Sequence, residues 1–211
     1  MRIDRVFYIN DDKDIESRIA MESELNDYDI VSHDDLNAGF KLTFERFSTL
    51  CPESSFEIRM GKSHAAVLEL ATTRGYSNVI VLEDDFRFIV EKEKFYKNME
   101  NLSGVYLDVC LLAYKFKHGT NSNMHPGLVR AMQTTDTTGY LVPARYFEVL
   151  SECFKRAVSN LEHTSQARIN EIDIAWNGLQ SVDPWYCFQS PIGEKSASNR
   201  LKIERNSSRT M

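Results

Sequence analysis

Three adjacent carboxylates, Glu83, Asp84 and Asp85, follow directly on a short apolar run at residues 79–82. The run is rich in β-branched residues, which is typical of a strand covered by helices on both faces of a parallel sheet. Ligands of open α/β sheets bind at the carboxyl ends of strands, and clustered carboxylate oxygens suit a hard divalent ion. The pattern predicts a Mg²⁺ or Mn²⁺ site, although an exposed acidic turn explains the three residues alone equally well.

The alternation of side chains along a strand divides the three carboxylates. If the extended backbone continues past residue 82, Glu83 and Asp85 point to one side and Asp84 points to the other. We therefore predict that Glu83 and Asp85 act as a pair and are the ligands of the metal ion.

Asp173 is a candidate catalytic residue, because it lies within the otherwise apolar stretch at residues 172–176. An unpaired buried carboxylate costs several kcal/mol, so this side chain must be paired, bound to a ligand or used in a reaction. We favour a functional role, since carboxylates with perturbed pKa values cluster at functional sites.

The segment Gly61-Lys62-Ser63-His64 is predicted to begin a helix. The free N–H groups of a helix N-terminus suit a phosphate group, and Lys62 or Arg59 would add a full positive charge. A P-loop is excluded, because Phe56 stands where its first glycine would be. His64 is more often a structural histidine than a ligand.

Asn10 ends the predicted first strand and is followed by the acidic pair Asp11 and Asp12. Polar groups at this position are suited to hydrogen bonds with the base or ribose of a nucleotide, although a polar turn is the simpler interpretation. Arg18, on the following helix, could reach the same crevice, and a solvent-exposed arginine is at least as good an interpretation.

The elements that must position these side chains alternate between strands and helices. Strands are predicted at residues 5–10, 28–32, 79–82, 108–113, 128–133 and 139–142. Helices are predicted at residues 14–25, 37–50, 61–74, 91–101, 143–158 and 166–180. Residues 51–60, with a possible short strand, and residues 115–126 are predicted as loops. The alternation favours an α/β fold, with one domain over residues 1–195 and a polar tail or linker over 196–211.

Charge and composition exclude several classes of protein. A net charge of −6 argues against a general partner of nucleic acid or of anionic membranes, because both need a basic surface. No apolar run approaches the roughly 20 residues of a membrane span. We therefore expect a cytoplasmic protein, and the polar tail leaves open further domains after residue 211.

The motifs, taken in order, resemble the pattern of glycosyltransferase family 25, which includes lipooligosaccharide galactosyltransferases. The chain is also similar to a sugar transferase domain encoded by large algal viruses, which implies the host cytoplasm as its location if the chain is viral. The resemblance covers about residues 4–190. It is carried by Tyr8-Ile9-Asn10 with Arg18, Gly61-x-Ser63-His64, Val81-Leu82-Glu83-Asp84-Asp85, Gly139-Tyr140-Leu141-Val142 and Ile172-Asp173.

The resemblance implies a GT-A fold, with a mostly parallel central sheet flanked by helices, and a nucleotide-diphosphate-sugar donor. The acidic triplet takes the place of the DxD-like motif, so that Asp85 and Glu83 hold Mn²⁺ or Mg²⁺ against the donor diphosphate, where the metal acts as a Lewis acid. Asp173 matches the acceptor side and is a candidate base, and Asp85 is assigned to catalysis with it. The residues assigned to the donor are Tyr8, Asn10, Arg18, Arg59, Lys62, His64 and Asp84.

The leading hypothesis is a metal-dependent glycosyltransferase that moves a hexose or deoxyhexose, of the glucose, galactose or rhamnose type, from a UDP-sugar to a glycan. One alternative is a Toprim-like metal-dependent nuclease or phosphoryl-transfer enzyme, which would need a basic track that this acidic chain does not favour. Another is a nucleotide-sugar-binding module without turnover. The chain departs from related folds in that no histidine follows residue 163.

Overall fold

The structure is a computed structural model that describes residues 1–35, 39, 41–164 and 171–196. Its strands are β1 (Arg5–Asn10), β2 (Val31–Ser32), β3 (Thr43–Ser48), β4 (Asn78–Glu83), β5 (Phe86–Phe88), β6 (Val109–Leu111), β7 (Lys115–Asn121), β8 (Leu128–Thr135), β9 (Gly139–Pro143), β10 (Trp185–Phe188) and β11 (Gly193–Lys195). Its helices are α1 (Ile15–Asp27), α2 (Phe56–Thr73), α3 (Lys92–Asn101), α4 (Phe147–Thr164), α5 (Ile172–Ala175) and α6 (Asn177–Val182).

Nine strands form one sheet in the order β2-β3-β1-β4-β9-β6-β10-β8-β7, and β5 pairs with β11 in a separate two-stranded sheet. In the large sheet β8 and β9 run opposite to the other strands. The α/β architecture with a mostly parallel central sheet is therefore confirmed.

Helices cover both faces of the sheet, as the apolar run of β4 predicts. Val79 and Val81 pack in a core with α2, α4 and α5. Ile80 and Leu82 pack in a second core with α1 and α3. All four side chains are buried, so β4 lies in the centre of the fold and ends with its carboxylates at one edge.

The helix predicted at residues 37–50 is wrong over its described part, because β3 is a strand between β2 and β1. Phe44 and Phe47 gave the segment an apolar spacing of three, which resembles helical periodicity. In β3 they point to opposite faces, so that Phe44 packs against one core and Phe47 against the other. A strand that packs against a core on each face does not need the period of two that marks a strand with one exposed face.

The predicted loop at residues 51–60 is confirmed only as far as Ser55, and the predicted start of the next helix is wrong. Helix α2 begins at Phe56, with Ser55 as its N-cap, so Gly61-Lys62-Ser63-His64 lies inside the helix. A Cβ atom at Gly61 would lie 2.4 Å from Cγ2 of Val158, which indicates that this glycine serves the close packing of α2 on α4. Gly75 follows the helix at a φ of +66°, the left-handed conformation that glycine adopts just after the end of a helix.

The second half of the chain differs from the prediction in several places, and its strands β10 and β11 were not predicted at all. The predicted loop at residues 115–126 contains the edge strand β7, whose exposed polar side chains resemble those of a loop. The helix predicted at residues 166–180 is two short helices, α5 and α6, and residues 166–170 lie outside the described part of the chain. Helix α4 follows a short 3-10 turn and continues to Thr164, beyond its predicted end.

The other predicted strands, at residues 5–10, 79–82, 108–113, 128–133 and 139–142, are confirmed with shifts of a few residues, and so are the helices predicted at 14–25 and 91–101. The strand predicted at 28–32 is shorter, since β2 has two residues. Among the described helices, none is both long enough and apolar enough to pass through a lipid bilayer.

Candidate functional site

A cleft of about 550 Å³ opens at the carboxyl ends of β1 and β4. These strands are parallel neighbours, with Ile9 opposite Glu83, so the residues that follow them meet at one edge of the sheet. We call this cavity the β1–β4 cleft. Of the predicted site residues, it is lined by Asn10, Arg59, Glu83, Asp84 and Asp85.

A smaller pocket of about 240 Å³ adjoins the cleft and contains Asp173, after which we name it. The two cavities share Phe56, Met60 and Glu83 in their walls. The rest of the Asp173 pocket comes from separate segments of the chain: Glu57, Lys115, Asp136, Thr137, Glu171, Ile172 and Lys195.

The three carboxylates after β4 diverge as the alternation of side chains predicts. Glu83 and Asp85 both face the ammonium group of Lys195. Asp84 lies on the side of Asn10, whose Nδ2 donates a hydrogen bond of 2.7 Å to Oδ2 of Asp84. Burial raises the pKa of Asp84, and the hydrogen bond from Asn10 opposes this rise.

Lys195, which the sequence did not single out, lies between Glu83 and Asp85. Its Nζ is 3.1 Å from Oε2 of Glu83 and 3.3 Å from Oδ2 of Asp85. Burial by itself raises the pKa of Glu83, but Lys195 and the neighbouring His64 and Thr137 together hold it below its usual value. Burial and the charge of Glu83 raise the pKa of Asp85. Glu83 raises the pKa of Lys195, which is therefore a charged ammonium group.

His64 lies behind Glu83 and is fully buried. Its Nδ1 is 3.0 Å from the hydroxyl of Tyr140, and its Nε2 is 3.4 Å from Oε1 of Glu83. The hydroxyl of Thr137 donates a hydrogen bond of 2.5 Å to the same carboxylate oxygen. His64 lines neither cavity, so it contacts the carboxylate rather than the space where a donor would lie.

Arg59 extends from the first turns of α2 into the wall of the β1–β4 cleft. Its Nη1 donates a hydrogen bond of 2.6 Å to Oδ2 of Asp11. Its Nε is buried and has no hydrogen-bond partner among the described residues. The buried Nε is not accessible to a ligand, but the side chain as a whole is 21% exposed and lines the cleft.

Tyr8, Arg18 and Lys62, which are predicted to bind the donor, line neither cavity. The hydroxyl of Tyr8 donates to Glu22, and Arg18 bonds the same carboxylate at 3.0 Å. Burial, followed by the bond to Glu22, raises the pKa of Tyr8. Lys62 forms an ion pair of 2.8 Å with Glu162 of α4, away from any helix N-terminus. The structure thus gives each of the three a partner within the fold.

Asp136, which the sequence also did not single out, lies in the turn between β8 and β9 at a φ of +93°. Its Oδ1 accepts hydrogen bonds from the backbone N–H, at 3.1 Å, and the hydroxyl of Thr138. These local bonds hold a backbone conformation that non-glycine residues seldom adopt. The turn presents the hydroxyl of Thr137 to Glu83 and the N–H of Asp136 to Asp173.

Asp173 lies at the start of α5, in the wall of the smaller pocket. Its Oδ2 accepts a long hydrogen bond of 3.4 Å from the backbone N–H of Asp136. Burial raises the pKa of Asp173, that hydrogen bond opposes the rise, and the charge of Glu83 adds to it. A partly buried carboxylate with a raised pKa and one long hydrogen bond is suited to accept a proton.

The described residues contain no group of three or more His, Cys, Asp or Glu side chains arranged to hold a metal ion. Glu83 and Asp85 share the ammonium group of Lys195, and a divalent ion between them would need that space. As they stand, these side chains do not fit a divalent ion, and the metal site stays a prediction.

No protein-family model matches the chain, and the search of curated proteins found no match. A solved structure that matches is a glycosyltransferase involved in the glycosylation of the major capsid of PBCV-1. It is 9% identical with a TM-score of 0.60, and the match covers 98% of this chain and 100% of that one. Another is UDP-glucose pyrophosphorylase complexed with UDP-glucose, 13% identical with a TM-score of 0.51 over 100% of both chains. Likeness at such identities shows the fold, so this chain has the GT-A-like fold found in glycosyltransferases and nucleotidyltransferases.

Proposed function

We propose that the protein is a glycosyltransferase that moves a hexose or deoxyhexose, of the glucose, galactose or rhamnose type, from a UDP-sugar to a glycan acceptor. The observation that carries this proposal is the pair of adjoining cavities that share Phe56, Met60 and Glu83. A transfer reaction needs two substrates that meet at one point. A binding module without turnover needs one cavity.

The β1–β4 cleft is the proposed donor site. Its volume of about 550 Å³ lies within the range of small-molecule sites. Asn10 and Asp84 offer an amide and a carboxylate to the polar groups of the nucleotide. Arg59, whose side chain is 21% exposed in the wall of the cleft, offers the charge of its guanidinium group to a phosphate oxygen. The shared fold with UDP-glucose pyrophosphorylase supports this placement, and membership of glycosyltransferase family 25 remains part of the proposal.

The Asp173 pocket is the proposed acceptor site. In the proposed step an acceptor hydroxyl attacks C1 of the donor sugar, and Asp173 takes the proton of that hydroxyl. The bond between C1 and the diphosphate oxygen breaks, and the nucleoside diphosphate leaves with the electron pair. Phe56, which is 40% exposed at the boundary of the two cavities, offers an aromatic surface to a sugar ring.

No step of this proposal depends on Mn²⁺ or Mg²⁺. The expectations of a domain over residues 1–195, a polar tail, further domains after residue 211 and a cytoplasmic location stay predictions.

The test measures binding of a panel of UDP-sugars by titration calorimetry, and then release of UDP in the presence of saccharide acceptors. We expect at least one UDP-sugar to bind and UDP release to require an acceptor. Asp84→Asn should lose donor affinity because it replaces one oxygen of the carboxylate proposed to accept hydrogen bonds from the nucleotide with an NH₂ group, which only donates. Asp27→Asn, an exposed aspartate at the far end of α1, is the matched control and should bind as the wild type does.

Each other outcome favours a different function. Binding without transfer to any acceptor would favour a module without turnover. Absence of binding to every UDP-sugar would contradict the proposal, and cleavage of nucleic acid by the same preparation would favour the nuclease alternative.

A further inference from the structure

Lys195 occupies the position where the sequence predicts a divalent cation. Its ammonium group lies 3.1 Å from Glu83 and 3.3 Å from Asp85, and both carboxylates are buried. The Lys195 side chain is itself only 21% exposed. An ammonium group has three N–H donors, and the two carboxylates engage two of them. Among the described residues the third has no acceptor, so it is left for a ligand.

The backbone holds Lys195 in this position. Strand β11 is antiparallel to β5, with Lys195 opposite Phe86, and β5 follows directly on the acidic triplet. The N–H of Ser196 donates a hydrogen bond of 2.8 Å to the carbonyl oxygen of Asp85. A Cβ atom at Gly193 would lie 2.1 Å from Cζ of Phe86, so this approach requires a glycine. The lysine is thus fixed to the segment whose charge it neutralises.

A divalent ion and the Lys195 ammonium group exclude each other between these carboxylates. Mg²⁺ binds oxygens at about 2.0–2.1 Å in an octahedral shell. An ion bound to both Glu83 and Asp85 at that distance would lie against the ammonium group, where like charges repel in a site of low dielectric constant. The described residues also supply no third His, Cys, Asp or Glu ligand.

Lys195 borders the junction of the two cavities, although it does not line the β1–β4 cleft itself. It lines the Asp173 pocket, and Glu83, to which it donates, lines both cavities. Its third N–H is therefore available to an anionic oxygen at the junction. A phosphate oxygen is the acceptor that best suits a fixed ammonium group at this point.

We infer that Lys195 takes the place of a divalent cation, linking the acidic end of β4 to the diphosphate of the donor, so that donor binding does not require Mn²⁺ or Mg²⁺. The identity of the donor rests on the proposed function. The occupancy of the cation position by Lys195 rests on the geometry alone, and the experiment separates the two.

The first measurement titrates Mn²⁺ alone, without nucleotide, into the wild type and Lys195→Met, which keeps the length of the side chain and removes its charge. We expect no binding to the wild type up to millimolar Mn²⁺, and an affinity at least about tenfold higher for Lys195→Met, because the repelling charge is gone. Lys155→Met is the matched control. Lys155 also joins two carboxylates, Glu69 at 2.6 Å and Glu152 at 2.7 Å, but on the surface. Lys155→Met should therefore leave the affinity for Mn²⁺ unchanged.

The second measurement titrates UDP-glucose into the wild type with EDTA and again with Mn²⁺. We expect the two affinities to agree within about twofold, and Lys195→Met to bind at least about tenfold more weakly in EDTA, because a charge-assisted contact is lost. Lys195→Arg should keep most of the affinity.

Tight Mn²⁺ binding to the wild type, or UDP-glucose binding to the wild type only with Mn²⁺, would overturn the inference. If Lys195→Met does not fold, these two wild-type results decide the question. If UDP-glucose does not bind at all, the assignment of this donor fails, and the Mn²⁺ titration still decides what occupies the cation position.

Discussion

The β1–β4 cleft and the Asp173 pocket differ in how firmly their polar groups are held. In the cleft, Asp84 accepts from Asn10 at 2.7 Å and Asp11 accepts from Arg59 at 2.6 Å. In the pocket, the hydrogen bond to Asp173 is long, 3.4 Å, and burial raises the pKa of this carboxylate. Preformed pairs favour binding in a fixed orientation, whereas a loosely held carboxylate favours proton transfer. Substitutions in the cleft should therefore change affinity, and substitutions in the pocket should change turnover.

The largest expected effect is that of Asp173→Asn on turnover. The amide keeps the shape of the carboxylate but cannot accept the proton of the acceptor, so kcat should fall about 10²- to 10⁴-fold. The dissociation constant of the donor should not change. Steady-state release of UDP gives kcat, and calorimetry gives the donor affinity.

Asp183→Asn is the control for this measurement. Asp183 accepts a hydrogen bond of 2.6 Å from Tyr146 and lines neither cavity, so its replacement should leave kcat intact. If Asp173→Asn lost donor affinity and kept turnover, the assignment of donor binding to the cleft and of proton transfer to the pocket would be wrong.

A smaller effect is expected for Arg59→Met in the cleft. Removal of the guanidinium should weaken donor binding about tenfold, because its positive charge no longer attracts a phosphate oxygen. The maximal rate should be nearly unchanged. Calorimetry at two salt concentrations measures the loss, which should shrink as salt screens the charge.

Arg74→Met is the matched control, because Arg74 also bonds a carboxylate, that of Glu45, but at the other end of α2. Equal losses of donor affinity in both variants would show an effect on folding rather than on the cleft.

A still smaller effect, on stability, distinguishes a phosphate-binding role of Gly61 from a packing role. Gly61→Val should lower the free energy of unfolding by about 2 kcal/mol, because its side chain meets Val158 of α4. Gly178→Val, at a helical position where a Cβ atom has open space, should change it by less than about 0.5 kcal/mol. Urea unfolding measures both. Unchanged stability with lost donor binding in Gly61→Val would instead support a phosphate site.

The same contrast between cleft and pocket explains what the sequence could predict. The cleft residues Asn10, Glu83, Asp84 and Asp85 follow directly on apolar strands, so the local pattern places them at one edge of the sheet. The pattern of Gly61-Lys62-Ser63-His64 led to a wrong prediction of a helix start. A glycine that packs inside a helix cannot be distinguished by sequence from a glycine in a phosphate-binding turn.

Pocket residues come from distant segments that only the fold brings together. Lys195 lies 112 positions from Glu83, and no local periodicity links them. Asp136 lies in a polar turn with the sequence Thr134-Thr135-Asp136-Thr137-Thr138, where its left-handed backbone cannot be predicted from the residue type. The run of polar residues between two predicted strands was the one signal available, and it is shared by most turns.

The smallest expected effect is on stability and tests the raised pKa of Asp173 directly. A carboxyl group whose pKa is higher in the folded chain than in the unfolded chain binds its proton more tightly when folded, so it lowers stability once both states have ionised. Stability from this group is present below the unfolded pKa, near 3.8, and is lost as the pH rises through the folded pKa. Asp173→Asn resembles the protonated form at every pH. The melting temperature of the variant should therefore exceed that of the wild type at pH 7, by on the order of 2–4 °C, and the difference should vanish near pH 3.5.

Asp27→Asn, which is exposed, should show no such pH-dependent gain in melting temperature. A variant that is slower in transfer yet more stable at neutral pH is the signature of a carboxylate held at a cost for its function, whereas a less stable variant would mean that Asp173 is a structural partner of the Asp136 turn.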